Sequence, residues 1–187
     1  MLILLVFISQ AVGCKKIIKT AAKNHDSSTE SENALSRMKE RLRLINILSG
    51  TWKAEFSSGT GSQINSLNTL ELKQDWTFVE IQDVVFQLQE PETSVAYQNR
   101  IVGKWEFRDG NIRKTPIDAT TIPVNIESRE FIDATGDGAW EEFSASTKTD
   151  LMLVEQYEIV SVSDHELVLQ LAGDSAGDSR ETWMRNQ

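Results

Sequence analysis

Few side chains of this chain have the types and spacing that do chemistry. Glu80, Glu155 and Arg100 are the candidates for a cluster of polar groups inside a pocket, the arrangement that acid–base catalysis needs. Glu141 and Glu142 are adjacent, so on a strand they point to opposite faces and cannot share a substrate. His25 and His165 are too far apart to form a local metal-ligand pair, and His165 follows Asp164 in a turn, where a solvated side chain is expected. The segment Asp133-Ala134-Thr135-Gly136-Asp137-Gly138 alternates oxygen donors around a glycine as a calcium loop does. It lacks the later glutamate of an EF-hand and reads as a glycine-rich turn, and Asp174-Ser175-Ala176-Gly177-Asp178 is weaker still. No glycine-rich phosphate loop with a lysine occurs. The single cysteine, Cys14, can make neither an internal disulfide nor a cysteine-rich zinc site. The expectation is a protein without catalytic residues, metal or cofactor.

Composition narrows the partners. The 187 residues are 40% hydrophobic and 25% charged, which suits one globular domain plus extras. With 19 basic against 28 acidic side chains the net charge is −9, and no long basic run follows the first two dozen residues. A nucleic-acid partner is therefore not expected.

The elements that must position these side chains follow from periodicity. Between Ala34 and Leu48, Leu35, Met38, Leu42 and Ile45 recur at helical spacing with charges between them, which predicts one amphipathic helix packing its stripe on its own domain. Thr29-x-x-Glu32 fits a capping box and Asn33 is an equally good cap. After Gly50 the period changes to two: Trp52, Ala54 and Phe56 alternate with polar residues, as do Leu70 and Leu72, and later Leu167, Leu169 and Leu171. Further strands are expected at Trp76 to Ile81, Val84 to Leu88, Ser94 to Arg108, Ile112 to Lys114, Ile122 to Ile126, Trp140 to Ala145, Leu151 to Val162 and Glu181 to Arg185. Asp109-Gly110 is the clearest hairpin signal, because both residues tolerate the positive φ of a tight turn. Some eight to ten strands with short turns predict an all-β, up-and-down antiparallel barrel, since closure removes unpaired edges. The stretch from Thr115 to Ser146 is loose, and either strands or a lid would fit it.

The N-terminus carries an address. Met1 to Val12 is an apolar run too short for the roughly 20 residues of a spanning helix, and it reads as the hydrophobic region of an export signal. Its end, Ala11-Val12-Gly13-Cys14, resembles the lipobox of bacterial lipoproteins. The resemblance implies cleavage after Gly13, acyl chains such as palmitate on Cys14, and attachment to the bacterial cell envelope. Lys15 after the cysteine points to the outer membrane by the Gram-negative sorting pattern. Residues 14–33, with Lys15, Lys16, Lys19 and Lys23 and then a Ser/Thr/Glu-rich half, read as a lipid-anchored flexible tether whose lysines sit near anionic headgroups. The domain then spans residues 34–187.

Where the helix gives way to the first strand the chain reads Leu48-Ser49-Gly50-Thr51-Trp52, and a second Gly-x-Trp occurs at Gly103-Lys104-Trp105. With the strand-turn-strand Leu70 to Phe78, these resemble lipocalins and the bacterial lipocalin-like lipoproteins. The resemblance implies that Gly50 permits a close turn, that Trp52 plugs the closed end of the barrel, and that Arg185, or Arg180, lies over it. None of these is implied to do chemistry.

Alternation assigns Trp76, Phe78, Trp105, Phe107, Leu153, Tyr157 and Leu169 to the inside, where they either line a pocket for a small hydrophobic ligand or fill it. The leading expectation is a membrane-anchored, non-catalytic binding protein. The alternative is a filled-barrel lipoprotein that binds another envelope protein through its exterior.

Overall fold

The computed structural model describes residues 27–58, 63–88, 93–173 and 179–186. The lipobox, Cys14 and His25 lie outside the described residues, as do Gly59 to Gly61 and Asp174 to Asp178. The chain divides into two compact units, residues 1–38 and 39–187. The described part of the first is the leading portion of helix α1, Ser27–Leu48. This helix begins inside the segment expected to be tether, so Thr29 and Asn33 lie within it instead of capping it.

In the second unit an all-β barrel is built from β1 (Gly50–Ser58), β2 (Gln63–Leu72), β3 (Thr77–Leu88) and β4 (Thr93–Arg108). It continues through β5 (Asn111–Pro123), β6 (Glu155–Val162), β7 (Glu166–Leu171) and β8 (Arg180–Arg185). Each strand pairs antiparallel with the next, and β8 returns to β1, so the sheet closes as a lipocalin-like barrel of eight strands. Several expected short runs merge, since Thr77 to Ile81 and Val84 to Leu88 belong to β3, and Ile112 to Lys114 and Ile122 to β5. Asp109 and Gly110 make the β4–β5 turn with φ of 51° and 81°, the geometry that this dipeptide tolerates.

Between β5 and β6 the expectation fails. Trp140 to Ala145, read as a strand, lies in α3 (Ala139–Leu151), preceded by α2 (Ile126–Asp133). Trp140 and Phe143 are three residues apart and pack against each other, as one helix face requires. Glu141 and Glu142 occupy the first turn, where they complement the helix dipole. Helix α3 lies along the part of β5 that β6 leaves unpaired: β6 matches only Asn111 to Lys114, while Ser144 Oγ donates to the Thr121 carbonyl at 3.4 Å and Lys148 pairs with Asp118 at 2.7 Å. Helix α2 meets β4 beyond the end of β5, where Ser128 Oγ accepts from the Ala96 amide at 2.9 Å. The loose stretch is thus a strand followed by a helical pair covering a sheet edge.

Of the stripe expected to dock, only Ile45 does so. Leu44, Ile45 and Leu48 join the core, whereas Leu42 is half exposed, as are Leu35 and Met38 along the helix. The face set by Leu44, Ile45 and Leu48 is rotated from the 35-38-42 stripe, and it is fixed where α1 turns into β1: Ser49 N and Oγ both donate to the Ile45 carbonyl.

Candidate functional site

Chain direction places Gly50, the β2–β3 turn, the Asp109-Gly110 turn and Arg185 at one end of the barrel. This end is sealed. Trp52 is fully buried and donates from Nε1 to the Leu48 carbonyl at 2.9 Å. The Arg185 guanidinium lies 4.4 Å from the Trp52 ring centroid and donates to the carbonyls of Ser49 and Ile47, tying the last strand to the end of α1. Gly50 has φ of +142°, and a Cβ there would come within 2.5 Å of Arg185 Nη1, so only glycine lets the arginine close over the ring. Gly103 is as constrained: a Cβ would lie 2.3 Å from the Thr115 carbonyl oxygen and 2.6 Å from the Phe78 ring, at the bulge where β4 and β5 shift register.

The residues assigned to the pocket by alternation fall unevenly. Phe78, Trp105, Phe107 and Leu169 are buried in the core of this sealed half, and Tyr157 is buried beside them. Trp76 is corrected from an inward strand position to the β2–β3 turn, where it has φ of 66°, is 38% exposed, and stacks on Trp105 with centroids 4.9 Å apart. Leu153 is corrected as well. It is 63% exposed in the turn before β6, because the chain is still leaving α3 at that point.

Above the apolar floor the interior turns polar. Lys114, on the inward face of β5 two residues after Ile112, has a 4% exposed side chain and pairs with Glu80 at 2.6 Å and Glu155 at 2.8 Å. Its ammonium also lies 5.2 Å from the Tyr157 ring centroid and 5.8 Å from that of Phe78. Burial alone would push the Lys114 pKa down, but the facing Glu80, Tyr157 and Glu155 outweigh it and hold it above the usual lysine value. Burial pushes the Tyr157 hydroxyl up. It does the same to the Glu181 carboxyl from β8, against the opposing hydrogen bond from Trp183. Glu80 and Glu155, proposed from sequence as a possible polar cluster, are therefore brought together by a lysine that sequence reasoning missed. The signal was available in the shared parity of Ile112 and Lys114. Arg100 is not part of the cluster; it lies exposed on β4.

From Glu80 a hydrogen-bonded ladder climbs the wall. Gln82 Nε2 donates to Glu80 at 2.8 Å, Asn99 Nδ2 to Gln82 Oε1 at 3.1 Å, and Thr121 Oγ1 to Asn99 Oδ1 at 2.8 Å. Strand register makes Ala54, Asn68, Gln82, Asn99 and Thr121 one row across five neighbouring strands. In that row the buried Asn68 Oδ1 has no hydrogen-bond partner among the described residues. The next row toward the other end, Phe56, Ser66, Val84 and Tyr97, and the one after it, Ile64, Phe86 and Val95, are largely apolar. Phe56, Ser66, Gln82 and Tyr97 remain partly open to solvent although they share the inward face. Phe143 of α3 packs edge-on against Tyr97 at 5.1 Å.

Elsewhere, His165 is exposed in the β6–β7 turn. Asp133, first residue of the segment compared with a calcium loop, spends its carboxylate on the Trp140 amide at 3.0 Å and on Arg129 at 3.3 Å. Glu141, on its helix, pairs with Arg129 at 2.7 Å.

Fold and interior together define a class: a closed antiparallel barrel, sealed at one end and polar in its middle, compatible with holding a small molecule. No protein-family model matches the chain, and no curated protein matches it.

Proposed function

We propose that this protein is a lipid-anchored, non-catalytic binding protein of the bacterial cell envelope, held to the membrane through Cys14 and carrying a small molecule with an apolar portion in the open half of its barrel. The observation that carries the binding reading is the contrast in the interior: the Trp52 end is packed solid, while the inward-facing Phe56, Ser66 and Tyr97 at the other end stay accessible. Glu80 and Glu155 are spent on Lys114, which favours a structural over a catalytic role for them. The anchor rests on the sequence Ala11-Val12-Gly13-Cys14 alone.

The test is native mass spectrometry of the chain purified gently from bacterial cells. A non-covalent adduct lost on denaturation is expected, together with a covalent acyl mass that Cys14→Ser removes. A clean apo mass that does not shift with fatty acids, phospholipids or haem would overturn the ligand, and an unacylated mature chain would overturn the anchor. A second reading, an envelope protein that binds a partner through its exterior, is favoured by the exposed apolar run Ile122, Val124 and Ile126, at 53%, 58% and 65% exposure, where β5 passes into α2.

A further inference from the structure

We propose that the barrel takes its ligand head first, and that the amide row at the base of the open half selects an uncharged or cationic hydrogen-bond donor, an amine or a hydroxyl, over a carboxylate. This rests on the binding reading above and adds to it the chemistry of the head group.

The row has an unfilled position. Thr121, Asn99, Gln82 and Glu80 satisfy one another in sequence, each donor matched to the next acceptor. Asn68, next to Gln82 in the row and 9% exposed, is left with a carbonyl oxygen that accepts from nothing among the described residues. A buried acceptor without a donor is unfavourable, so a ligand that brings an N–H or O–H is favoured there. Beside Asn68 in the register stands Ala54, which leaves the β1 side of the row with the smallest side chain it could carry short of glycine.

Charge points the same way. Among the described residues, Glu80, Glu155 and Glu181 face the interior below the row against the single cation Lys114, which is already engaged with two of them. Arg100 faces away on the exposed side of β4. An anionic head would meet excess negative charge with no free cation in this cluster, whereas an ammonium would be drawn in. Above the row, Phe56, Val84, Tyr97, Phe86 and Val95 form an apolar collar that suits an alkyl tail extending toward the mouth.

The experiment is titration calorimetry on the full chain carrying Cys14→Ser, with dodecylamine, dodecanol and dodecanoate below their micelle concentrations. The amine and the alcohol are expected to bind about tenfold or more tighter than dodecanoate, the scale of one charge-sensitive buried hydrogen bond. Asn68→Leu should weaken the amine and the alcohol severalfold, leaving only the part of the preference that the charge of Glu80, Glu155 and Glu181 supplies. Asn68→Asp keeps the oxygen and adds charge, so it should tighten the amine and weaken dodecanoate further. It decides the matter even if Asn68→Leu does not fold. Dodecanoate binding as tightly as the amine, or an amine affinity unmoved by Asn68→Asp, would overturn the head-group selection while leaving a ligand-binding barrel. Failure of all three to bind would overturn the binding reading itself.

Discussion

The two halves of the barrel interior solve different problems with the same eight strands. In the sealed half, large apolar side chains interdigitate around Trp52. The Trp52 and Trp105 indole nitrogens and the terminal guanidinium nitrogens of Arg185 donate to backbone carbonyls, Trp183 Nε1 donates to Glu181, and Arg185 Nε has no hydrogen-bond partner among the described residues. In the other half, a buried ion cluster and a row of amides replace hydrocarbon, and one acceptor stays unmatched. Burying polar groups in this way is costly unless each finds a partner. A region built for stability alone has no reason to carry them, and the neighbouring half shows that this chain can pack apolar side chains tightly.

The comparison breaks most easily at the seal. Trp52→Ala removes a fully buried indole together with the surface that Arg185 covers, and should lower stability by about 4 kcal/mol. A urea midpoint shifted by the equivalent of less than ~1 kcal/mol would show that this end does not hold the barrel closed. Next in size is Lys114→Met, which leaves the Glu80 carboxylate buried without its counter-ion and should cost about 3 kcal/mol. Adding Glu80→Gln should recover much of that loss. A double variant no better than the single one would mean that the cluster is not a unit.

Glu181→Gln sharpens the contrast through pH. Burial raises the folded-state pKa of Glu181 above its ordinary value of 4.5. The stability that goes with its neutral form is therefore present in acid and is lost as pH rises from there through the folded value. Glutamine keeps the neutral form, so variant and wild type should coincide in acid, and the variant should become the more stable as pH rises toward neutrality. A gap that widens toward acid would contradict the sign. The smallest effect belongs to Trp76→Ala, where the ring is already 38% exposed in its turn. It should cost under about 1 kcal/mol, against the several lost with Trp52.

Much of the fold could be read from local pattern. Period-two alternation at Trp52-Ala54, Leu70-Leu72 and Leu167-Leu169 marks buried inward positions because a strand with one solvated face must alternate. Asp109-Gly110 marks its hairpin because few other dipeptides accept two positive φ values. The helical pair after β5 was missed because Trp140, Phe143 and the acids between them match a strand almost as well as a helix over so short a run. Leu153 was misplaced for a related reason, since alternation says nothing about where a strand begins.

The candidate site was less legible. Glu80 and Glu155 could be named, but Lys114 between them is remote in sequence from both and reaches them only when β5 lies across the barrel from β3 and beside β6. The amide row is hidden in the same way: Asn68, Gln82, Asn99 and Thr121 are ordinary polar residues until register sets them side by side. By itself the sequence determined the class of structure, the hairpin at Asp109-Gly110 and the glycine and tryptophan where α1 gives way to β1, because those depend on spacing and backbone conformation within a few residues. Tertiary structure alone decided which polar groups face one another, because strand pairing and barrel closure, not proximity along the chain, bring a lysine onto two glutamates and leave one asparagine oxygen without a donor.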